Sequence, residues 1–227
     1  TGSYTYGGGV YSDGTLLVES STISGNTATS TAANSIGGGV QVGSPFHTFG
    51  GLTLVKYSTI SNNAAGIAGG LYTTGDVTIE NTTISGNQGA FIGGLAMLAD
   101  NVSTPWNIIS STISGNDSSS NIAGGIYSKQ NAATIENSTI AFNTAHSSAK
   151  YGAGLAIRGA DAVDLESTII SNNTTDEGSG PLTDDLGGVS GATLTGANNL
   201  VYFPSSLVTP GGTILLTDPL LAPLAGN

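Results

Sequence analysis

The feature that most constrains this chain is an eight-residue string that recurs with little change. It reads ENTTISGN at 80–87, ESSTISGN at 19–26, ISSTISGN at 109–116 and ENSTIAFN at 136–143. Its central isoleucine returns at steps of 24 to 37 residues, and an asparagine stands three positions after each one. Internal repeats of this length predict a stacked, solenoid-like architecture. The two columns are Ile23, Ile60, Ile84, Ile113, Ile140 and Ile170, and Asn26, Asn63, Asn87, Asn116, Asn143 and Asn173.

The residues around these columns predict β-structure. They are rich in Val, Ile and Thr in alternation, and Gly–aliphatic pairs such as Gly70-Leu71 recur between the strings. Stacked β-coils lie about 4.8 Å apart, so equivalent residues of successive coils touch. We therefore predict an all-β fold, a right-handed parallel β-helix (β-solenoid) of about seven coils. Its isoleucines should form the interior, and its asparagines a hydrogen-bonded ladder at a corner.

We expect residues 1–227 to form a single domain. Its last segment, 196–227, departs from the repeat and is a candidate cap or docking element. The beginning of the chain enters the repeat directly, with no visible cap, and natural solenoids need capped ends. End-to-end stacking of subunits and a shortened chain both account for this pattern.

Charge and composition exclude several classes of function. The chain carries 4 Lys and Arg residues against 15 Asp and Glu residues, so no basic surface is available for nucleic acid. No apolar run approaches the ~20 residues of a transmembrane helix, so we predict no membrane span. The chain contains no Cys, which removes disulfides and thiolate chemistry.

The repeat and the last segment resemble a known family. The string resembles parallel β-helix repeats, and GANNLVYFPSSLVTPGGTILLTDPLLAPLAGN (196–227) is similar to the end of the β-helix region in the choice-of-anchor Q family of secreted bacterial proteins, related in style to polymorphic outer-membrane proteins. Members of that family are exported and surface-associated. The resemblance implies a secreted or cell-surface location.

Some β-helices cleave polysaccharides with acids and a base on neighbouring coils. Lys56 aligns with glutamates of adjacent repeats, Glu19 and Glu80, which predicts a structural ion-pair column. The remaining cluster is Arg158/Asp161/Asp164, for which a surface salt bridge is the simpler interpretation. We assign no catalytic residue.

Metal and cofactor binding has little support in the sequence. Asp184-Asp185 forms an adjacent acidic pair in a long loop and is a weak candidate for Ca²⁺. No zinc pattern is present. We therefore assign no metal site and no cofactor.

Aromatic side chains are the candidates for contact with a sugar. Tyr11, Tyr72 and Tyr127 each follow a Gly–aliphatic pair, which places them on the outer face, and Trp106 lies in a long variable loop. Exposed rings can stack on sugars or on a neighbouring subunit, or can shield the strands. The candidate carbohydrate-binding residues are Tyr72, Tyr127 and Trp106.

Rows of hydroxyl side chains give a minor alternative. Thr residues precede the core isoleucines and Ser residues follow most of them, so T-x-S rows would repeat every ~4.8 Å on one face. Such regular rows resemble the hydroxyl rows of ice-binding solenoids, although Ala141 replaces the Ser of one repeat and Ile169 the Thr of another.

These features favour a non-enzymatic extracellular or cell-surface rod. The expected partner is a second copy of the chain, stacked head to tail through the terminal coils into a filament, or the rod acts as an adhesive scaffold. The alternative is a β-helix that binds or cleaves an extracellular polysaccharide.

Overall fold

The computed structural model describes residues 5–29, 34–44, 51–98, 106–119, 122–129, 132–146, 151–158, 162–176, 180–188, 192–204, 209–210 and 214–224. In these ranges the regular secondary structure consists of short β-strands, which confirms the all-β prediction. No helix long and apolar enough to cross a membrane occurs in the described ranges.

The first sixteen strands are β1 Thr5–Tyr6, β2 Val10–Ser12, β3 Leu16–Glu19, β4 Thr22–Ser24, β5 Ser35–Ile36, β6 Val40–Val42, β7 Thr53–Lys56, β8 Thr59–Ser61, β9 Ala64–Ala65, β10 Leu71–Thr73, β11 Val77–Glu80, β12 Thr83–Ser85, β13 Gln88–Gly89, β14 Leu95–Leu98, β15 Trp106–Ile109 and β16 Thr112–Ser114. The remaining strands are β17 Asp117–Ser118, β18 Ile126–Lys129, β19 Ala133–Glu136, β20 Thr139–Ala141, β21 Thr144–Ala145, β22 Leu155–Arg158, β23 Ala162–Glu166, β24 Ile169–Ser171, β25 Thr174–Asp176, β26 Pro181–Thr183, β27 Leu186–Gly188, β28 Thr193–Thr195, β29 Asn199–Val201, β30 Thr209–Pro210 and β31 Ile214–Leu215.

Successive strands of one coil belong to different sheets, so the chain winds as a parallel β-solenoid. Sheet I contains β2, β6, β10, β14, β18, β22 and β27; sheet II contains β3, β7, β11, β15, β19, β23, β28 and β30. Sheet III contains β4, β8, β12, β16, β20, β24, β29 and β31; sheet IV contains β9, β13, β17, β21, β25 and β26. All pairings within these sheets are parallel except that of β25 with β26.

Five consecutive coils contribute a strand to each of the four sheets, beginning with β6 and ending with β25. We expected about seven complete coils. The difference arises because the first coil and the coils after β25 contribute to fewer sheets.

Alternation along each strand separates the core from the surface. In β11, Val77 and Ile79 are buried while Thr78 and Glu80 turn outward, as the two-residue period of a strand requires. The predicted isoleucine column lies in one continuous apolar core: Ile60, Ile84, Ile113, Ile140 and Ile170 are buried, and Ile23 is half-buried at the first coil.

Two corners turn the chain between sheets, and both use residues with positive φ. Between sheets II and III the corner residues have φ of 48–60°, and between sheets III and IV of 55–68°. This left-handed conformation suits Gly and Asn best. The first set is Ser20, Tyr57, Asn81, Ser110, Asn137, Ser167 and Asn198, and the second is Gly25, Asn62, Gly86, Gly115, Phe142 and Asn172.

Candidate functional site

The asparagine column forms the predicted ladder at the corner between sheets III and IV. Asn87 represents its members. Its Nδ2 donates to Ile60 O in the preceding coil, at 3.0 Å, and to Asn116 Oδ1 in the following coil, at 2.9 Å. Its Oδ1 accepts both the backbone N–H and the Nδ2–H of Asn63, each at 3.0 Å. Every internal asparagine therefore links both neighbouring coils.

The asparagine side chains of the ladder pack directly against the glycines of the Gly–aliphatic pairs. A Cβ on Gly94 would lie 2.6 Å from Gly125 O and 3.1 Å from Asn116 Cγ. Because backbone and amide approach this closely, a side chain at that position would displace one of them. The repeated Gly is thus explained by the asparagine that packs against it.

The ladder ends at Asp185, which sequence reasoning did not assign to it. Asp185 Oδ1 accepts the N–H and the Nδ2–H of Asn173 at 2.8 and 2.9 Å, and Oδ2 accepts Phe203 N–H at 2.9 Å. A carboxylate accepts but does not donate, so it closes the ladder. Asp185 is 0% exposed, and burial raises its pKa to about 6; its hydrogen bonds oppose this shift, and nearby Asp184 adds to it.

A second ladder occupies the corner between sheets II and III. Thr82 Oγ1 accepts Ser58 N–H at 3.3 Å, and Thr82 N–H donates to Ser111 Oγ at 3.1 Å. The hydroxyl itself donates back to Glu80 O in its own coil. The members are Ser21, Ser58, Thr82, Ser111, Ser138 and Thr168, closed by Asn199, whose Oδ1 accepts Thr168 N–H at 3.0 Å.

The first coil presents an incompletely covered face. Its strands β2, β3 and β4 each lie at the end of a sheet, so one edge of each strand is unpaired within the described part of the chain. Inward-pointing Val10, Leu16 and Ile23 are only half-buried there, although they pack against the core. Asn26 is the first member of the ladder, and no donor among the described residues reaches its Oδ1.

Trp106 is not in a surface loop, so the prediction for this residue is wrong. It begins β15, its side chain is 0% exposed, and it belongs to the main core. Ala133 lies beside it in register, and this small neighbour leaves room for the indole. A ring that buries so much apolar surface is more stable inside than in contact with water.

Tyr72 and Tyr127 stand on the outer face of sheet I as predicted, but their expected exposure is wrong. They are 1% and 5% exposed, in a second apolar cluster. The covering layer is formed by the segments that precede each sheet I strand, which pair with one another through the bridges Ala68–Ile92 and Ile92–Ala123. Neither tyrosine therefore offers an open ring to a sugar.

An open apolar groove of about 500 Å³ remains at the edge of this covering layer. Lys129 and Arg158 lie side by side in register on adjacent strands and line the groove. A hydrogen bond from Arg158 to Tyr127 raises the pKa of the guanidinium. The other lining residues are Ile67, Phe91, Ile92, Leu98 and Ile122.

Arg158 and Asp164, the described members of the acid–base cluster, lie on strands of different sheets. Arg158 turns to Tyr127, whereas Asp164 accepts a hydrogen bond from Thr195 at 2.9 Å in sheet II. Asp161 lies outside the described residues. The predicted ion-pair column is confirmed: Lys56 aligns with Glu19 and Glu80, and its Nζ lies 3.0 Å from Glu80 Oε2.

The weak calcium candidate Asp184-Asp185 has a different role. Asp184 Oδ2 accepts Gly152 N–H at 3.2 Å, and Asp185 closes the ladder. Both carboxylates are buried and bonded to protein N–H groups. No group of three or more acidic or His side chains suited to a metal ion occurs in the described ranges.

Comparison of the chain with protein-family models, curated proteins and solved structures gave no match.

Proposed function

We propose that this chain is a non-enzymatic structural rod, secreted or on the cell surface, which lengthens when a second copy stacks head to tail on its first coil. The observation that carries the proposal is the face of that coil, where three strand edges have no pairing partner among the described residues and lie above half-buried apolar side chains. Unpaired edges of this kind are templates for further pairing.

The opposite end of the solenoid supplies matching strands. Strands β30 and β31 are the last members of sheets II and III, and β3 and β4 are the first members of the same sheets. A head-to-tail junction would continue both sheets in the parallel sense. Asn26 Oδ1 would then accept an N–H from the stacked copy.

The location outside the cell rests on resemblance. The repeat and the segment 196–227 resemble the choice-of-anchor Q family of secreted bacterial proteins. The same rod, with its loops on the surface, would serve as a filament or as an adhesive scaffold.

Sedimentation velocity and negative-stain electron microscopy across a concentration series test the proposal. The native chain should form concentration-dependent fibres one solenoid wide. Ile23→Lys places a charge on the stacking face and should abolish them, whereas Thr22→Lys, on the exposed side of the same strand, should leave them intact. Monodisperse short particles at every concentration would contradict the rod assembly.

A further inference from the structure

The groove beside sheet I is a place where this acidic chain concentrates positive charge. Lys129 and Arg158 are two of its four Lys and Arg residues, against 15 acidic ones. Among the described residues, the eight that line the groove include no acidic side chain. The two cations attract an anion to this groove, whereas the acidic surface elsewhere on the chain repels anions.

The rest of the groove is apolar. Ile92 is buried at its base, and Ile67, Phe91 and Ile122 are only half-buried along its wall. Partly exposed apolar side chains gathered in one concave place are typical of binding sites. A volume of about 500 Å³ lies in the range of small-molecule sites.

The cationic rim is held in position by the fold. Tyr127 is 5% exposed and packs in the second cluster, and its interaction with Arg158 raises the pKa of the guanidinium. A guanidinium has five N–H donors, so further donors remain for a ligand. Pre-positioning lowers the entropy lost when a ligand binds.

We propose that this groove binds an organic anion with an apolar body, such as a medium-chain carboxylate. Arg158 and Lys129 pair with the anionic head, and the apolar body lies against Phe91, Ile92 and Ile122. This proposal is independent of rod assembly, because the groove lies on the flank of the solenoid and not on its terminal coils.

The test is a fluorescence titration of the full chain with 1-anilinonaphthalene-8-sulfonate, followed by displacement with octanoate. We expect saturable binding that octanoate reverses and octylammonium does not. Arg158→Gln should lower the affinity about tenfold or more, since charge-assisted hydrogen bonds are lost. Lys56→Gln removes the same charge on another sheet and should change the affinity less than about twofold.

Ile122→Ser provides an uncharged second variant, which should weaken binding of the probe while leaving the cations in place. Thermal melts of all variants identify any loss of fold. The proposal is overturned by the absence of saturable binding, by equal losses in Arg158→Gln and Lys56→Gln, or by equal competition from octylammonium. Displacement by an oligouronate but not by octanoate would also overturn it, in favour of a polysaccharide.

Discussion

Two corners of the solenoid link successive coils through side-chain ladders of different chemistry. The amide corner, between sheets III and IV, carries the asparagine ladder, and the hydroxyl corner, between sheets II and III, carries the Ser and Thr ladder. In each, a residue with positive φ is followed by a polar side chain that accepts a backbone N–H from the preceding coil. The asparagine amide also donates to both neighbouring coils. The hydroxyl donates to a carbonyl of its own coil, and the Thr168 hydroxyl also lies 3.1 Å from Ile135 O in the preceding coil. The amide corner therefore adds three side-chain hydrogen bonds per step between coils, more than the hydroxyl corner does.

The largest expected effect comes from breaking the amide corner. Asn116→Ala removes the acceptor for Asn87 N–H and Asn87 Nδ2–H, and the side-chain donor to Ile84 O and Asn143 Oδ1. With roughly 1–3 kcal/mol for each buried group left unsatisfied and partial relaxation, we expect a loss of about 4 kcal/mol in the free energy of unfolding. Urea unfolding followed by circular dichroism measures it.

Thr112→Ala, at a half-buried outward position of the same coil, is the control and should cost less than about 0.5–1 kcal/mol. If Asn116→Ala costs no more than this control, the ladder does not couple the coils.

The second largest expected effect is a pH dependence of stability caused by Asp185, which closes the asparagine ladder. The pKa of Asp185 is raised from 3.8 to about 6, so the folded state holds the proton more tightly than the unfolded state. The stabilisation is fully present below pH about 4 and is lost as the pH rises through about 6. At 1.36 kcal/mol per pKa unit this amounts to about 3 kcal/mol.

Asp185→Asn should abolish this pH dependence. The difference in unfolding free energy between native chain and variant should therefore change between pH 3.5 and 7, as measured by urea unfolding at several pH values. Glu136→Gln, which removes an outward acid of sheet II, should leave the slope unchanged. A slope retained in Asp185→Asn would assign the pH dependence to other groups.

A substitution at the hydroxyl corner should lower the free energy of unfolding by less than one at the amide corner. Ser111→Ala removes the acceptor for Thr82 N–H and the donor to Ile109 O. We expect a loss of about 1–2 kcal/mol in the same unfolding assay, clearly below that of Asn116→Ala. Equal losses at the two positions would show that the number of inter-coil bonds does not determine the coupling.

The smallest effect should be a gain at the hydroxyl corner. Tyr57 has φ of 49° and is 57% exposed, while Asn81 and Asn137 occupy the same corner position in other coils. Tyr57→Asn should raise the free energy of unfolding by about 0.5–1 kcal/mol, because Asn tolerates this conformation better. Tyr57→Ala keeps the steric cost of a Cβ and should give no gain. A loss of stability in Tyr57→Asn would show that contacts of the ring outweigh its backbone strain.

The sequence predicted the ladder of the amide corner and did not predict that of the hydroxyl corner, for a physical reason. Asparagine accepts two N–H groups on its Oδ1 and donates two N–H groups from its Nδ2 along the stack, which a hydroxyl with one hydrogen cannot do, so its column contains one residue type. A hydroxyl acceptor is supplied equally well by Ser or Thr, so that column is mixed and resembles an ordinary polar strand end. Asp185 was missed because it follows Asn173 by 12 residues, through the antiparallel pair β25–β26, instead of a full repeat.

For the outer face of sheet I, the sequence predicted which side chains point outward but not that they are buried. Alternation places Tyr72 and Tyr127 outside the main core, and this is correct. Their cover comes from segments such as 66–68 and 91–93, whose spacing from the repeat varies. A pattern read one coil at a time does not reveal which neighbouring segment folds over a side chain.

The asparagine ladder also gives the solenoid an electrical direction. Each amide turns its oxygen toward the preceding coil and shares an N–H with the following one, so the carboxamide dipoles add along the axis. The carbonyl end lies at Asn26, and the N–H end meets the carboxylate of Asp185, much as an acidic residue complements the start of an α-helix. A filament built from this corner would be polar, with two chemically different tips.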